Sequence, residues 1–275
     1  MARTTPLFTR LFWHVGLGLG VVVVIAPFAW MISTSLKPVE EIYSLSLIPG
    51  QFQWGNYAKV FTTIPMLRFL LNTVFVTAVV MAARLTICAM CAYALARLKF
   101  KGRDLFFMMM LATMMIPGEI QLVPGFVLMK WLGWLDTYKV LIIPRIESII
   151  MIFLMRQFFL TIPKELEEAA VIDGSNKLGI LWHVILPLSR PVIAVVTLFT
   201  FQAMWNDFMW PLIMTNSTAM KPLQVGLALL NTQLRENNLN LLMAATVVSI
   251  LPVLVVFLSA QRTFIRGIAL TGIKG

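Results

Sequence analysis

Six apolar runs, each long enough to cross a lipid bilayer, constrain this 275-residue chain more than any other feature. They lie near residues 12–32, 69–96, 105–128, 140–160, 191–214 and 241–261. A helical crossing needs roughly 20 mostly apolar residues. Hydrocarbon offers backbone N–H and C=O groups no partner, so such runs satisfy themselves as helices. The pattern predicts an all-α polytopic membrane protein of about six transmembrane helices. Only 12% of the residues are charged and 59% are hydrophobic, whereas soluble domains carry about 25% charged residues. The net charge of +10 raises nucleic acid as a partner. The basic residues stand in the gaps between apolar runs rather than along one polar face, which fits orientation in a bilayer, so no nucleic-acid partner is expected.

The first run, LFWHVGLGLGVVVVIAPFAWMI, follows Arg3 and Arg10. It is longer than a signal-peptide core of roughly 7–15 residues and reads as a retained signal-anchor helix. Its Gly16 and Gly20 have the GxxxG spacing that lets helices approach closely. Four basic groups fall on one side of a six-span topology: Arg3 with Arg10; Arg97, Lys99, Lys101 and Arg103; Arg156, Lys164, Lys177 and Arg190; and Arg262, Arg266 and Lys274. The excess of Lys and Arg on cytoplasmic loops then places both termini and residues 161–190 in the cytoplasm. Across the membrane lie two longer polar loops, about 33–67 and 215–240. Turn signals at Lys37-Pro38, Pro49-Gly50 and Gly55-Asn56 make the first a folded surface loop. In the second, Val225, Leu227, Leu229 and Leu230 are placed to pack on a partner or on the membrane edge. Residues 1–275 form one transmembrane domain on this reading.

The cytoplasmic gap at 161–190 breaks the apolar pattern with EEAAVIDGSNKLGILWHVILPLSRP. Pro163 suits a first helical turn, and Glu165, Glu167 and Glu168 favour the positive end of the helix dipole. Ala169 and Ala170 have little bulk, so another surface can come close. Gly174 ends the helix, because glycine readily takes the left-handed C-terminal conformation. A second helical piece stops at Pro187, and Pro191 opens the next span. An interfacial helix would show Lys and Arg to anionic lipid. A short helix with a small-residue face ringed by acids fits a protein groove better.

The spacing is Glu168-Ala169-Ala170, three residues, Gly174, nine residues, Val184, one residue, Leu186-Pro187. It resembles the signature loop of the integral membrane subunits of bacterial ABC importers, with Val184 where isoleucine is usual. The longer form, LEEAAVIDGS followed by ILPLSRP, is similar to the carbohydrate-type permeases, those like the maltose importer's smaller membrane subunit. TSLKP, AYALARLKFKGR, WNDFMWPL and the RGIALTGIKG tail agree with it, so the resemblance covers nearly the whole chain. It implies a type I ABC importer permease (MetI-like) fold in a bacterial inner membrane, carrying a cytoplasmic coupling helix and forming half of a translocation pathway for a sugar. The implied partners are a second, related permease, two cytoplasmic ATPase subunits, an extracytoplasmic substrate-binding protein and membrane lipid. Implied coupling residues are Glu167, Glu168, Ala169, Ala170, Asp173, Gly174, Leu186 and Pro187. The tail near Gly267–Gly275 is expected to touch the ATPase, and the 215–240 loop to reach the binding protein's sugar cleft.

Arg84, Glu119, Arg145, Glu147 and Asp207 sit in or near predicted spans. Charged groups are costly in hydrocarbon and turn toward a cavity or a partner. Trp205, Asn206, Asp207 and Trp210 mix aromatic faces with hydrogen-bonding groups. With Glu119 they are candidates for a substrate path; an interfacial aromatic belt is the alternative. Cys88 and Cys91 read as small buried residues, with no metal expected. Gly174 and Gly179 have the glycine spacing of a phosphate loop, but Ile180-Leu181 follows where Lys-Ser/Thr is required, so ATP chemistry belongs to another polypeptide. No catalytic constellation or cofactor is expected, and the chain is not read as an enzyme. A glycerol 3-phosphate or glycerophosphodiester importer is the nearest alternative substrate class. A gradient-driven transporter would show inverted repeats and paired broken helices, and the sequence pattern shows neither.

Overall fold

A computed structural model describes residues 7–233 and 238–272, with side chains described for 13–230 and 238–259. The described residues form helices α1 (Leu7–Ser35), α2 (Gly55–Thr63), α3 (Met66–Arg97), α4 (Arg103–Thr113), α5 (Leu122–Trp131), α6 (Tyr138–Ile142), α7 (Ile149–Thr161), α8 (Glu165–Ile172), α9 (Lys177–Ile180), α10 (Leu186–Leu188), α11 (Arg190–Trp205), α12 (Met209–Met214), α13 (Leu223–Gln233) and α14 (Leu239–Gly272). Two compact units emerge, one of residues 1–66 with 227–251, the other of 67–226 with 252–275.

Three helical stretches are each long and apolar enough to cross a membrane: Trp13–Ser35, Met66–Arg97 and Leu239–Ser259. The other three apolar runs do not form the uninterrupted helices expected of them. Residues 103–131 bend by 89° between α4 and α5. Pro117 lacks an N–H and pushes its predecessor out of the helical region, and the chain re-forms as a 3-10 turn at Gly118–Gln121. The fourth run is two pieces, α6 and α7, parted by a turn containing Pro144. In the fifth, α11 stops at Trp205 and α12 restarts at Met209. The intervening Asn206 and Asp207 compete with backbone for hydrogen bonds, and Asn206 Nδ2 donates to the Gln202 carbonyl at 3.0 Å. Lys177–Leu188 and α11 make a further bent pair at 85°. Broken helices are thus present where the sequence pattern showed none.

In the first unit, α1 presents apolar side chains around its circumference: Leu17, Val21, Val23 and Ile25 are all more than half exposed, as expected of a lipid-facing helix. Among the described residues nothing lies within 4 Å of a Cβ placed on Gly16 or Gly20, so their GxxxG spacing serves no close approach to any of these. The 33–67 loop is folded around fully buried Lys37. Its ammonium donates to the Ser44 carbonyl at 2.8 Å and lies 4.5 Å from the Trp30 ring centroid. Its own carbonyl accepts from Asn56 at 3.1 Å and from Asn240 at 3.0 Å.

The second unit has its main core where α3, α7 and the 170–196 segment meet, around Ala89, Ala92, Ala96, Met155, Phe159, Ile180, Leu181, Ile185 and Val196. The three alanines recur along α3 and let neighbours approach, as small residues do in membrane helices. Cys88 is buried there and Cys91 half-buried. Val225 of this unit and Leu230 of the first, expected on an outward-packing surface, are instead fully buried. At Gly226 a Cβ would fall 2.1 Å from Phe69 Cδ2, so this crossing requires glycine.

Candidate functional site: the 161–190 loop

The loop is built by local rules. Helix α8 starts two residues after Pro163, with Glu165, Glu167 and Glu168 in its first turn. It ends in a Schellman motif: the Gly174 N–H donates to the Val171 carbonyl at 3.0 Å and the Ser175 N–H to the Ala170 carbonyl at 2.9 Å. This geometry puts Gly174 at φ +83°, which L side chains adopt only at a cost. Asn176 then caps α9, its Oδ1 accepting the Gly179 N–H at 2.7 Å. The spacing of Gly174 and Gly179 thus serves one helix end and one helix start. Past α9 a wide π turn, Leu181–Ile185, carries the chain into α10. Helical structure passes Pro187 and stops at buried Ser189, whose hydroxyl donates to the Ile185 carbonyl at 2.6 Å.

One edge of α8 is anchored. Arg97, at the end of α3, has a side chain only 4% exposed, and its Nε lies 2.7 Å from Glu167 Oε1. The pair meets as charges, without the alignment of a hydrogen bond. The Arg97 guanidinium also donates to the carbonyls of Phe159, at 2.6 Å, and Ile162. One arginine thereby joins the ends of α3, α7 and α8. Tyr93, one turn back on α3, reaches Glu167 Oε2 at a long 3.5 Å. Arg156 on α7 adds a contact to the Leu95 carbonyl at 3.3 Å and lies 4.1 Å from the Phe107 ring centroid on α4. In the sequence, Arg97 and Arg156 stand out only as topology-setting charges.

The coupling candidates therefore divide. Glu167 and Ala170 turn inward, and the small side chain of Ala170 closes the chain's own core. Glu168, Ala169, Asp173 and Gly174 are exposed, as is Pro187, while Leu186 is half-buried. Ile172 is 86% exposed and Val171 51%, an apolar presentation unusual for a solvated helix end.

The substrate-path candidates lie apart from this loop. Asp207 accepts from Arg145 Nε at 2.9 Å and from its Nη2. Arg84, buried on α3, donates to the carbonyls of Ile146, at 3.3 Å, and Arg145. It satisfies carbonyls that the break before α7 leaves without helical partners, as membrane burial requires. These intramembrane charges pair within the chain and tie two helix breaks together. Trp205 is buried and stacks on Phe201 at 5.3 Å between centroids. Trp210 donates to the Val140 carbonyl at 2.9 Å, and its ring fills the space a side chain would need at Gly125. Asn206 and Glu119 are exposed. The tail expected to touch an ATPase lies outside the described side chains, as do residues 231–237 of the 215–240 loop.

Residues 84–270, which include this loop, match the family described as the binding-protein-dependent transport system inner membrane component. The chain belongs to that family. Its relatives include the arabinooligosaccharides transport system permease protein of Halalkalibacterium halodurans, 36% identical over 99% of both chains. They also include the sn-glycerol-3-phosphate transport system permease protein of Yersinia pestis, 32% identical over 94% of this chain and 95% of that one. Among solved structures, a chain of a bacterial ABC transporter involved in import of the acidic polysaccharide alginate superposes with a TM-score of 0.85. It is 27% identical, over 96% of this chain and all of that one. A second chain, from the alginate transporter complexed with a pentasaccharide-bound periplasmic protein, has the same fold at TM-score 0.65, covering 92% of this chain and 93% of that one at 16% identity. The superposition on the first of these chains extends over the broken spans as well as the long ones.

Proposed function

We propose that this chain is one of two permease subunits in an ATP-driven importer of a sugar or oligosaccharide, and that α8 is the handle gripped by a cytoplasmic ATPase. The observation that carries this reading is the one-sided anchoring of α8. Arg97 and the Gly174 cap fix the helix on its inner edge, while Glu168, Ala169 and Asp173 stay exposed. A helix held in this way transmits a push to the ends of α3 and α7 instead of bending away. Glu168 offers a carboxylate to the ATPase, Ala169 admits close approach, and Gly174 with Leu186-Pro187 sets the turn and the exit from the loop. The chain acts as one transmembrane permease domain with both ends in the cytoplasm and performs no catalysis itself. Two ATPase subunits supply the energy, a second related permease completes the pathway, and an extracytoplasmic binding protein delivers the substrate.

The sugar assignment follows the arabinooligosaccharide relative and the alginate transporter. The relatives named for sn-glycerol 3-phosphate favour a phosphorylated polyol as the second reading, and ligand binding by the partner binding protein separates the two. The substrate path runs past Asn206, Asp207 and Glu119, with Trp205 and Trp210 shaping its wall. Affinity purification of the tagged chain in mild detergent tests the handle. The wild type should bring down an ATPase and a second permease, and Glu168→Lys should lose the ATPase while keeping the permease. Equal ATPase recovery with both would overturn the assignment.

A further inference from the structure

A cleft of about 570 Å³ separates the inner edge of α8 from the turn that joins α3 to α4. It is lined by Arg97, Lys99 and Arg103 on one side and by Lys164, Glu167, Glu168 and Lys177 on the other, over a floor that includes Ala96 and Val171. Five basic side chains face two carboxylates there, and one of the two, Glu167, is already matched by Arg97. Arg103 has its own partner in Asp104 at 3.0 Å. Among the described residues, Lys99, Lys164 and Lys177 form no ion pair and are exposed. With Glu168 as the one carboxylate left over, the three ammonium groups leave an excess of positive charge around the cleft, and an anion seated among them offsets their repulsion.

The depth of the cleft identifies the anion. Helix α3 carries the exposed apolar side chains Ile87 and Met90 about two to three turns before its end, and α4 carries Leu105, Phe106, Met108 and Met109 directly after the turn. Phe100, within the turn, is 48% exposed between Lys99 and Lys101. An aromatic side chain flanked by lysines, beside a helix that opens on exposed apolar residues, is the arrangement found at headgroup level. Basic pockets at the cytoplasmic ends of membrane helices take phosphorylated headgroups. We propose that this cleft binds the phosphodiester of an anionic phospholipid, with Lys99, Lys164 and Lys177 as its ligands, so that one lipid lies against the inner edge of α8.

The test uses the purified importer complex in nanodiscs of phosphatidylcholine alone, or with three parts in ten phosphatidylglycerol, and native mass spectrometry to count retained phosphatidylglycerol. Each lysine near a membrane surface contributes roughly a fivefold factor in affinity. The Lys99→Gln/Lys164→Gln/Lys177→Gln variant should therefore hold its lipid on the order of a hundredfold more weakly. Lys130→Gln/Lys139→Gln, outside the cleft, should retain the lipid as the wild type does. The proposal is overturned if the triple variant keeps wild-type retention. It is also overturned if inorganic phosphate in pure phosphatidylcholine protects the wild type against heat as well as phosphatidylglycerol does, since the site would then take a free anion. ATPase recovery is read in the same preparations, so a lost lipid and a lost ATPase are separate results.

Discussion

Gly174 and Arg97 carry the loop in different ways. At φ +83° with no neighbour within 4 Å of a Cβ, Gly174 is required for its backbone rather than for space. Gly174→Val should cost about 1–2 kcal/mol locally and sharply lower ATP-linked uptake. Gly174→Asn, whose side chain tolerates the left-handed region, should stay near wild type. Equal damage by both in an uptake assay would mean that the residue matters for contact and not for conformation. Arg97 makes a stricter prediction. Removing one member of a buried ion pair costs about 3–5 kcal/mol, so Arg97→Ala should unfold at markedly lower temperature. The swap Arg97→Glu/Glu167→Arg should not rescue it, because glutamate cannot donate to the Phe159 and Ile162 carbonyls; full recovery of thermal stability would refute the hub. Gly174 was legible in the sequence because its rule is local. Arg97 was not, because its carbonyl partners lie 62 and 65 residues away and nothing in the apolar pattern points to them.

The helices show the same divide between local and distant information. Three of the apolar runs are long unbroken helices and the other three are helical in pieces, since hydropathy over 20 residues averages across one or two polar positions. That averaging also passes over the breaks at Pro144 and Asn206-Asp207, which the Arg145–Asp207 pair ties together. The exposed connections follow a similar logic. Asp136 stands at φ +58°, and its Oδ1 accepts the N–H groups of Asn216 and Ser217, both at 2.9 Å. Burial pushes its pKa up, but these hydrogen bonds, with the charge of Lys221, outweigh that and leave it below the ordinary carboxylate value. The sign follows directly: the contact contributes fully above the unfolded pKa, near 3.9, and its contribution is lost as pH falls through the lower folded value. Thermal melts of wild type and Asp136→Asn should differ at neutral pH and converge under acid. A gap that persists below pH ~2 would contradict the pairing.

On the reading proposed above, the chain is a lever between a soluble motor and a membrane path. Membership of the family was legible from the signature loop, because its spacing is a rare combination of small residues, a left-handed glycine and a Leu-Pro exit. The division between its two edges was not legible, since Glu167 and Glu168 look alike in sequence and only the fold turns one inward to Arg97. The most direct measurement is cysteine cross-linking from Ala169→Cys, in a chain whose Cys88 and Cys91 are replaced by alanine, within the purified complex. The account predicts a cross-link to the ATPase whose yield changes when ATP is added, and none from Leu47→Cys on the opposite side of the membrane. No ATPase cross-link from position 169, with the complex intact and the cysteine reactive, would contradict it.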